Sequence, residues 1–351
     1  MATLRIGIVG AGAIARLSCR EIVGHADARI VAAADPSAER LAELRDAFAI
    51  PRTYADASAL FADAEVDAVY IAVPNLHHAP LATAALQAGK HVLLDKPFAT
   101  SLAAAEGVAA AARASGKVFM LGMNQRFARG SQKMRQRVLA GDLGEVYHVK
   151  AFWRRRSGIP RIGSWFGNKA VSGGGGLLDI GVHMLDLALH LIGNFDVRTV
   201  SGVAYTKFGN RGLGDGAWGL SERDQASFDV DDFASAFIRL SGGVSVQLDA
   251  GWAMHQEHAN EQDVLLYGTE AGASVIGEKL FRNGAGRGEY EVLQSPAADV
   301  QWRHASRFHH FIDVALGREP ALVTIDEALA VQRILDAIYA SAASGREVVF
   351  D

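Results

Sequence analysis

Apolar residues are spaced in two different ways along this chain. Up to about residue 121, short runs rich in apolar and β-branched residues alternate with Ala/Leu/Glu-rich stretches of helical length. The runs are Arg5 to Val9, Arg29 to Ala33, Ala68 to Val73, His91 to Leu94 and Val118 to Leu121. Consecutive apolar positions predict strands buried on both faces, and their alternation with helices predicts a parallel sheet covered on both sides. Gly89 and Gly116 fall where a helix needs a left-handed cap before the next strand. From about Met123 the pattern changes. A helix rich in Arg, Gln and Lys runs to Ala140 and stops at Gly141. A two-residue period then takes over at Val146 to Arg156, Arg198 to Phe208, Ala234 to Leu240, Val244 to Ala250 and Asp263 to Tyr267. Turns such as Ser241-Gly242-Gly243 make that second sheet antiparallel. Helices at Ser306 to Leu316 and Ile325 to Ala343 close the chain.

Composition narrows the class. A length of 351 residues favours two domains, each with its own core, divided here at 1–122 and 123–351. A net charge of -4 supplies no field for a phosphate backbone, so no nucleic-acid partner is expected. The single cysteine, Cys19, allows no internal disulfide and suits a reducing compartment. The sequence runs straight into Leu4-Arg5-Ile6 without a secretory leader pattern, and no apolar run looks long enough to cross a bilayer, so a cytoplasmic protein is expected.

Gly10-Ala11-Gly12-Ala13-Ile14-Ala15 directly follows the first strand and opens a helix. In such a G-x-G-x-x-A turn the first glycine allows the tight bend and the second lets the backbone approach a pyrophosphate. The small last residue lets helix and strand pack closely. Asp35, 23 residues after Gly12, ends the next strand, where a carboxylate accepts from the adenosine ribose hydroxyls. The context makes the first domain a Rossmann domain. A carboxylate about 4 Å from a 2'-phosphate costs up to roughly 4 kcal/mol at an effective dielectric near 20. Pro36 and Ser37 offer no cation, and Arg40 lies a helical turn further on, so NAD is expected over NADP.

Two loops fall at the carboxyl ends of strands, where ligands of such sheets bind: Pro74-Asn75-Leu76-His77-His78 and Asp95-Lys96-Pro97. Lys96 there is either a ligand-facing cation or a loop lysine paired with Asp95. Further on, four glycines, Gly173 to Gly176, precede a helix on which Asp179, His183 and Asp186 stand at i, i+4 and i+7, on one face. Leu178, Val182, Leu185 and Leu189 pack opposite. An acid one turn from a histidine can orient it, and the glycines leave room for a ligand, which points to acid/base catalysis. There is no H-E-x-x-H and no cysteine nearby, so no metal is expected. Trp153-Arg154-Arg155-Arg156 and Trp165-Phe166 could shape a sugar pocket, although strand alternation also allows Trp153 to be core and the arginines a solvated strand end.

Together, Gly10 to Ala15, Asp35, the Pro74 to His78 loop, Asp95-Lys96-Pro97, Asn124-Gln125-Arg126-Phe127 and Asp179-x-Gly-x-His183 resemble, in order, the glucose-fructose oxidoreductase and inositol dehydrogenase family, Gfo/Idh/MocA. The usual Glu-Lys-Pro is Asp95-Lys96-Pro97 here. The resemblance implies an α/β fold class: an N-terminal Rossmann domain with a parallel sheet, then an α/β domain with a large, mostly antiparallel, open-faced sheet through which copies pair as homodimers or homotetramers. It implies NAD-dependent oxidation of a secondary hydroxyl on a sugar, glycoside or cyclic polyol. Some relatives instead use NAD for transient oxidation during glycoside cleavage, and others are regulators. Lys96, Asp179 and His183 become the catalytic set, with His183 taking the hydroxyl proton, Lys96 stabilising the oxygen and Asp179 orienting hydroxyl or imidazole. Gly10, Gly12, Ala13, Ile14, Asp35, Pro74, Asn75, His78, Lys96, Asn124 and Gln125 face the cofactor. Arg126, Trp153, Arg155 and Trp165 are candidate substrate contacts.

Overall fold

The computed structural model describes residues 3–218, 228–286, 288–294 and 304–350. The first half is built from β1 (Leu4–Val9), α1 (Ala13–Ile22), β2 (Ala28–Ala34), α2 (Ala38–Phe48), β3 (Arg52–Tyr54), α3 (Ala57–Ala62), β4 (Ala68–Ile71), α4 (His78–Gln87), β5 (His91–Leu94), α5 (Leu102–Ser115) and β6 (Phe119–Leu121). All six strands are parallel, in the order β3-β2-β1-β4-β5-β6. The chain reverses direction across the sheet between β1 and β4, which opens a crevice at their carboxyl ends. Gly10 is required there. Its φ is +97°, and a Cβ would sit 2.2 Å from the Ala72 carbonyl oxygen beyond β4.

The second half holds α6 (Arg129–Leu139), β7 (Val146–Arg155), α7 (Lys169–Ser172), α8 (Val182–Ile192), β8 (Val197–Tyr205), β9 (Phe233–Leu240), β10 (Ser245–Gly251), β11 (Asn260–Gly268), β12 (Gly272–Ser274), β13 (Lys279–Asn283), β14 (Tyr290–Gln294), α9 (Arg307–Ala315), α10 (Ile325–Ser344) and β15 (Val348–Val349). Its sheet runs β14-β13-β12-β11-β7-β10-β9-β8-β15, antiparallel at every pairing except β7 with β10. Period-two burial follows: Val149, Ala151, Val246, Leu248, Ala236, Ile238, Val264 and Leu266 are buried under the helices, while Val203, Tyr205 and Phe237 stay exposed on the other face.

Three expectations change. The short strands β3 and β12 to β15, at or near the sheet edges, lack enough alternation to be read from sequence. The helix placed from Met123 begins at Arg129, after a separate 3-10 turn at Asn124–Phe127. The segment Lys169–Ile192, which α7 opens and α8 ends, is long and apolar enough by composition to cross a bilayer, contrary to the expectation that no run is. Its most apolar stretch is 89% buried in the fold, so that apolarity goes into the core.

The halves interlock. Although α9 comes late in the chain, it packs on the Rossmann sheet: Phe308 sits edge-on to Tyr70, and Arg307 bonds Asp95 and the Gly122 carbonyl. Arg126 is a correction. Read from sequence as a cofactor or substrate contact, it is fully buried. It forks onto both oxygens of Asp186 (2.6 and 2.9 Å), then reaches Glu327 (2.6 Å) and the Leu322 carbonyl (3.0 Å). This pins the turn after β6 to α8 and α10, and takes Asp186 out of any catalytic face. Breaking a buried pair strands a charge and costs about 3–5 kcal/mol. Denaturant unfolding of Asp186→Ala is therefore expected to show a loss of that order, and a change below about 1 kcal/mol would refute the structural role.

Candidate active site

Lys96 leaves the carboxyl end of β5 with Asp95 behind it. Asp95 accepts from Tyr70 Oη (2.7 Å) on Oδ2 and from Arg307 Nη1 (3.0 Å) on Oδ1, which also takes the Lys96 backbone amide (2.8 Å). Burial would raise this carboxyl, but the Arg307 charge and the hydrogen bonds from Tyr70 and Arg307 prevail and hold it at about 2. The Lys96 ammonium is thus not bound to Asp95. It crosses to the second half, donating to Asp179 Oδ1 (2.6 Å) and to the Asp179 carbonyl (2.7 Å).

Asp179 lies in a π-turn, Leu177–Gly181, ahead of α8, and not on a regular α-helix. A widened turn swings residues off the α-helical face. The expected shared face of Asp179, His183 and Asp186 accordingly comes apart: Asp179 goes to Lys96, Asp186 to Arg126, and no hydrogen bond joins Asp179 to His183 among the described residues. The second carboxylate oxygen of Asp179 accepts from Trp252 Nε1 at 2.8 Å. Burial would raise Asp179, yet Lys96, then Trp252 and the Arg155 charge, keep it below the usual carboxylate range.

The four glycines serve close packing more than ligand access. Asp231 takes the Gly175 and Leu177 amides on its carboxylate (2.7 and 2.9 Å) and the Gly176 amide on its carbonyl (2.9 Å). A Cβ on Gly175 would lie 1.8 Å from that carbonyl oxygen, and one on Gly174 would lie 2.1 Å from Tyr339 Oη. The π-turn is held from behind by this anchorage.

His183 is 8% exposed. Its Nδ1 is buried with no partner among the described residues, and its ring lies 5.9 Å from that of Trp153. Burial first, and the Lys96 charge second, push the imidazole down to about 3, against a partial offset from Asp179. His183 is therefore neutral at any ordinary pH.

The remaining candidates divide. His78 is buried with Nδ1 2.7 Å from the Pro97 carbonyl and Nε2 3.0 Å from that of Val73, and Asn75 Nδ2 donates to the Ser172 carbonyl (2.7 Å). Both were expected to face the cofactor; their polar atoms instead clamp the β4 loop, with Pro74 in it, to the Lys96-Pro97 loop and to α7. Asn124 is exposed and Gln125 half-buried at the same sheet edge. Trp153 bonds Asn260 through Nε1 (2.9 Å), and Arg155 lies 4.7 Å over its ring. Trp165 stacks on Phe166 at 3.8 Å, and Phe166 meets Trp252 edge-on at 6.5 Å. Trp252, Arg307, Tyr70 and Asp231 escaped sequence reading because each acts from a distant element with no local motif.

The residues at the first sheet's edge fit a dinucleotide. Gly12 starts α1 with an ordinary φ of -74° and no side-chain cap, and a Cβ there would meet nothing within 4 Å. Its bareness answers no need of the protein's own packing and leaves the helix N-terminus, with Ala13 and Ile14, open to an anion. Asp35 is fixed, accepting the Ala11 amide (2.7 Å) and the Ser37 amide (2.8 Å).

The sequence matches the oxidoreductase family with an NAD-binding Rossmann fold over residues 4–123 and the GFO/IDH/MocA C-terminal domain over 131–274. The chain is similar to D-glucoside 3-dehydrogenase of Escherichia coli K12, at 30% identity over 98% of this chain and 97% of that one. The chain belongs to the Gfo/Idh/MocA family. As a Gfo/Idh/MocA protein it is an NAD-binding oxidoreductase. It is also 38% identical to a putative UDP-kanosamine synthase oxidoreductase subunit of Amycolatopsis mediterranei, over 72% of this chain and 70% of the other. The crystal structure of GenD2 from gentamicin A biosynthesis, in complex with NAD, superposes with a TM-score of 0.80 at 26% identity, covering 100% of this chain and 97% of that one.

The depressed His183 sets a pH signature. An unfolded chain takes up that proton near pH 6.5 and the folded one only near 3, so this group removes stability as pH falls through that window and none above it. NMR titration of the histidine rings is expected to show His183 neutral down to at least pH 5; a transition between pH 6 and 7 would contradict the burial argument.

Proposed function

We propose that this protein oxidises a secondary hydroxyl of a sugar, glycoside or cyclic polyol to a ketone, with NAD preferred to NADP. The observation that carries the reading is the Lys96–Asp179 pair at the carboxyl edge of the parallel sheet, beside a buried neutral imidazole. Bound NAD supplies the acceptor for the hydride leaving the carbinol carbon. Lys96 donates a hydrogen bond to the reacting oxygen and stabilises its developing charge. Asp179, with both oxygens engaged, holds the ammonium in place. His183 takes the hydroxyl proton.

A base as weak as His183 accepts that proton uphill, so stabilisation of the alkoxide by Lys96 carries the larger share of the barrier lowering. His183 ionises too low to shape the rate between pH 5 and 9. Asp35 supports NAD through its fixed negative charge where a 2'-phosphate would lie. The exposed Val203, Tyr205 and Phe237 on the uncovered sheet face support a homo-oligomer paired through that face.

The test is a panel of inositols, aldoses, glycosides and anhydrosugars scored for NADH formation and for release of aglycone. Net NADH from at least one member is expected, with NADP a poorer oxidant. On that substrate His183→Ala should turn over about 100-fold more slowly or worse with unchanged thermal unfolding, and Lys96→Met should lose at least as much turnover while staying folded, at a lower unfolding temperature because it strands the Asp179 carboxylate. Aglycone release without net NADH would replace this reading with hydrolysis by transient oxidation.

A further inference from the structure

The run Arg154-Arg155-Arg156 resolves into three different situations. Arg154 turns to the open sheet face and pairs with Glu261 at 3.2 Å. Arg156 donates to the Glu257 carbonyl at 3.0 Å. Arg155 points the other way, towards the catalytic groups. Its guanidinium lies 4.7 Å over the Trp153 ring, which itself lies 5.9 Å from the His183 ring. Among the described residues Arg155 has neither a hydrogen-bonded acceptor nor a carboxylate within ion-pair distance.

The buried Arg126 and Arg307 each hold a carboxylate within 3.0 Å. Half-buried beside Asp179, Arg155 has only that neighbour's field, because both Asp179 oxygens are already bonded to Lys96 and Trp252. Burial, partly offset by Asp179, lowers its basicity, which marks a charge short of compensation. The arm is nevertheless built in. Gly158 passes beneath it so closely that a Cβ there would lie 2.4 Å from Arg155 Cδ, and Trp153 supplies a flat face that a guanidinium stacks on. The Lys96–Asp179 pair is neutral in sum and His183 is uncharged, so among these groups Arg155 is the uncompensated charge. A planar fork with open donors matches an oxyanion bidentately.

We propose that Arg155 is a specificity-determining residue that binds an oxyanion, carboxylate or phosphate, carried on the sugar substrate. The inference rests on the sugar-dehydrogenase reading and names the substrate class for the same site: acidic sugars over their neutral counterparts.

Titration calorimetry of the NADH-loaded protein tests it without requiring turnover. The probes are methyl β-D-glucuronide, D-glucose 1-phosphate and neutral methyl β-D-glucoside. At least one acidic probe is expected to bind about 10-fold to 100-fold tighter than the neutral one, and the two acidic probes distinguish carboxylate from phosphate. Arg155→Leu should weaken acidic binding by about that factor more than neutral binding. Arg155→Lys, which keeps charge without the fork, should recover part of it. Gly158→Ala, which keeps the charge but obstructs the arm, should lose part of the preference and guards against a fold defect peculiar to Arg155→Leu. Equal binding of all three probes, or equal loss of acidic and neutral binding in Arg155→Leu, overturns the proposal. Charge-selective binding with no NADH formed when the same probes are incubated with the protein and NAD sustains the subsite and counts instead against the dehydrogenase reading.

Discussion

The ion pair between Lys96 and Asp179 joins the two halves of the molecule at the carboxyl edge of the parallel sheet. Lys96 belongs to the edge of the parallel sheet and Asp179 to the π-turn before α8, and their charged groups meet at 2.6 Å with side-chain exposures of 18% and 11%. Taking two charges this far out of water is costly, and a pair so placed is weak evidence for stability. The surroundings show what holds it together. Behind Lys96, Arg307 and Tyr70 fix Asp95; behind Asp179, Trp252 fixes the free carboxylate oxygen while Asp231 fixes the glycine run. Each supporting group comes from a distant part of the chain, so the completed fold is a condition for the pair.

The same pair sets the electrostatics of the site. By consuming Asp179 it leaves His183 without an acid partner, and the Lys96 charge then adds to burial in keeping the imidazole neutral. A positive donor beside a neutral acceptor is the arrangement that an alcohol losing proton and hydride requires. His78 and Asn75 contribute mechanically: their hydrogen bonds to the Pro97, Val73 and Ser172 carbonyls fix the two strand-end loops and α7 relative to one another.

Much of this was legible before the structure. The parallel sheet covered by helices follows from alternating buried strands and helices, and the Gly10 to Ala15 turn with Asp35 rests on local geometry that a short motif records in full. Lys96, Asp179 and His183 were each identifiable from their local context. Their relations were not. Spacing assumes 3.6 residues per turn, and the π-turn at Leu177–Gly181 breaks that assumption where it mattered. The glycines at 173–176 looked like ligand room because a sequence does not show that Tyr339 and the Asp231 backbone approach them. Arg126 looked like a site residue because it stands in the Asn124 to Phe127 motif, yet its partners Asp186 and Glu327 lie 60 and 201 residues away. Trp252 and the return of α9 to the first sheet share that cause: long-range packing leaves no local trace.

If the pair acts as one unit, its members cannot contribute separately. A double-mutant cycle on kcat with NAD measures this directly, using Lys96→Met, Asp179→Asn and the double variant on the best substrate. The account predicts that each single variant loses about 100-fold or more and that the double variant falls no more than about threefold below the worse single, as groups acting together do. Losses that multiply across the double variant would show Lys96 and Asp179 working independently and would contradict it.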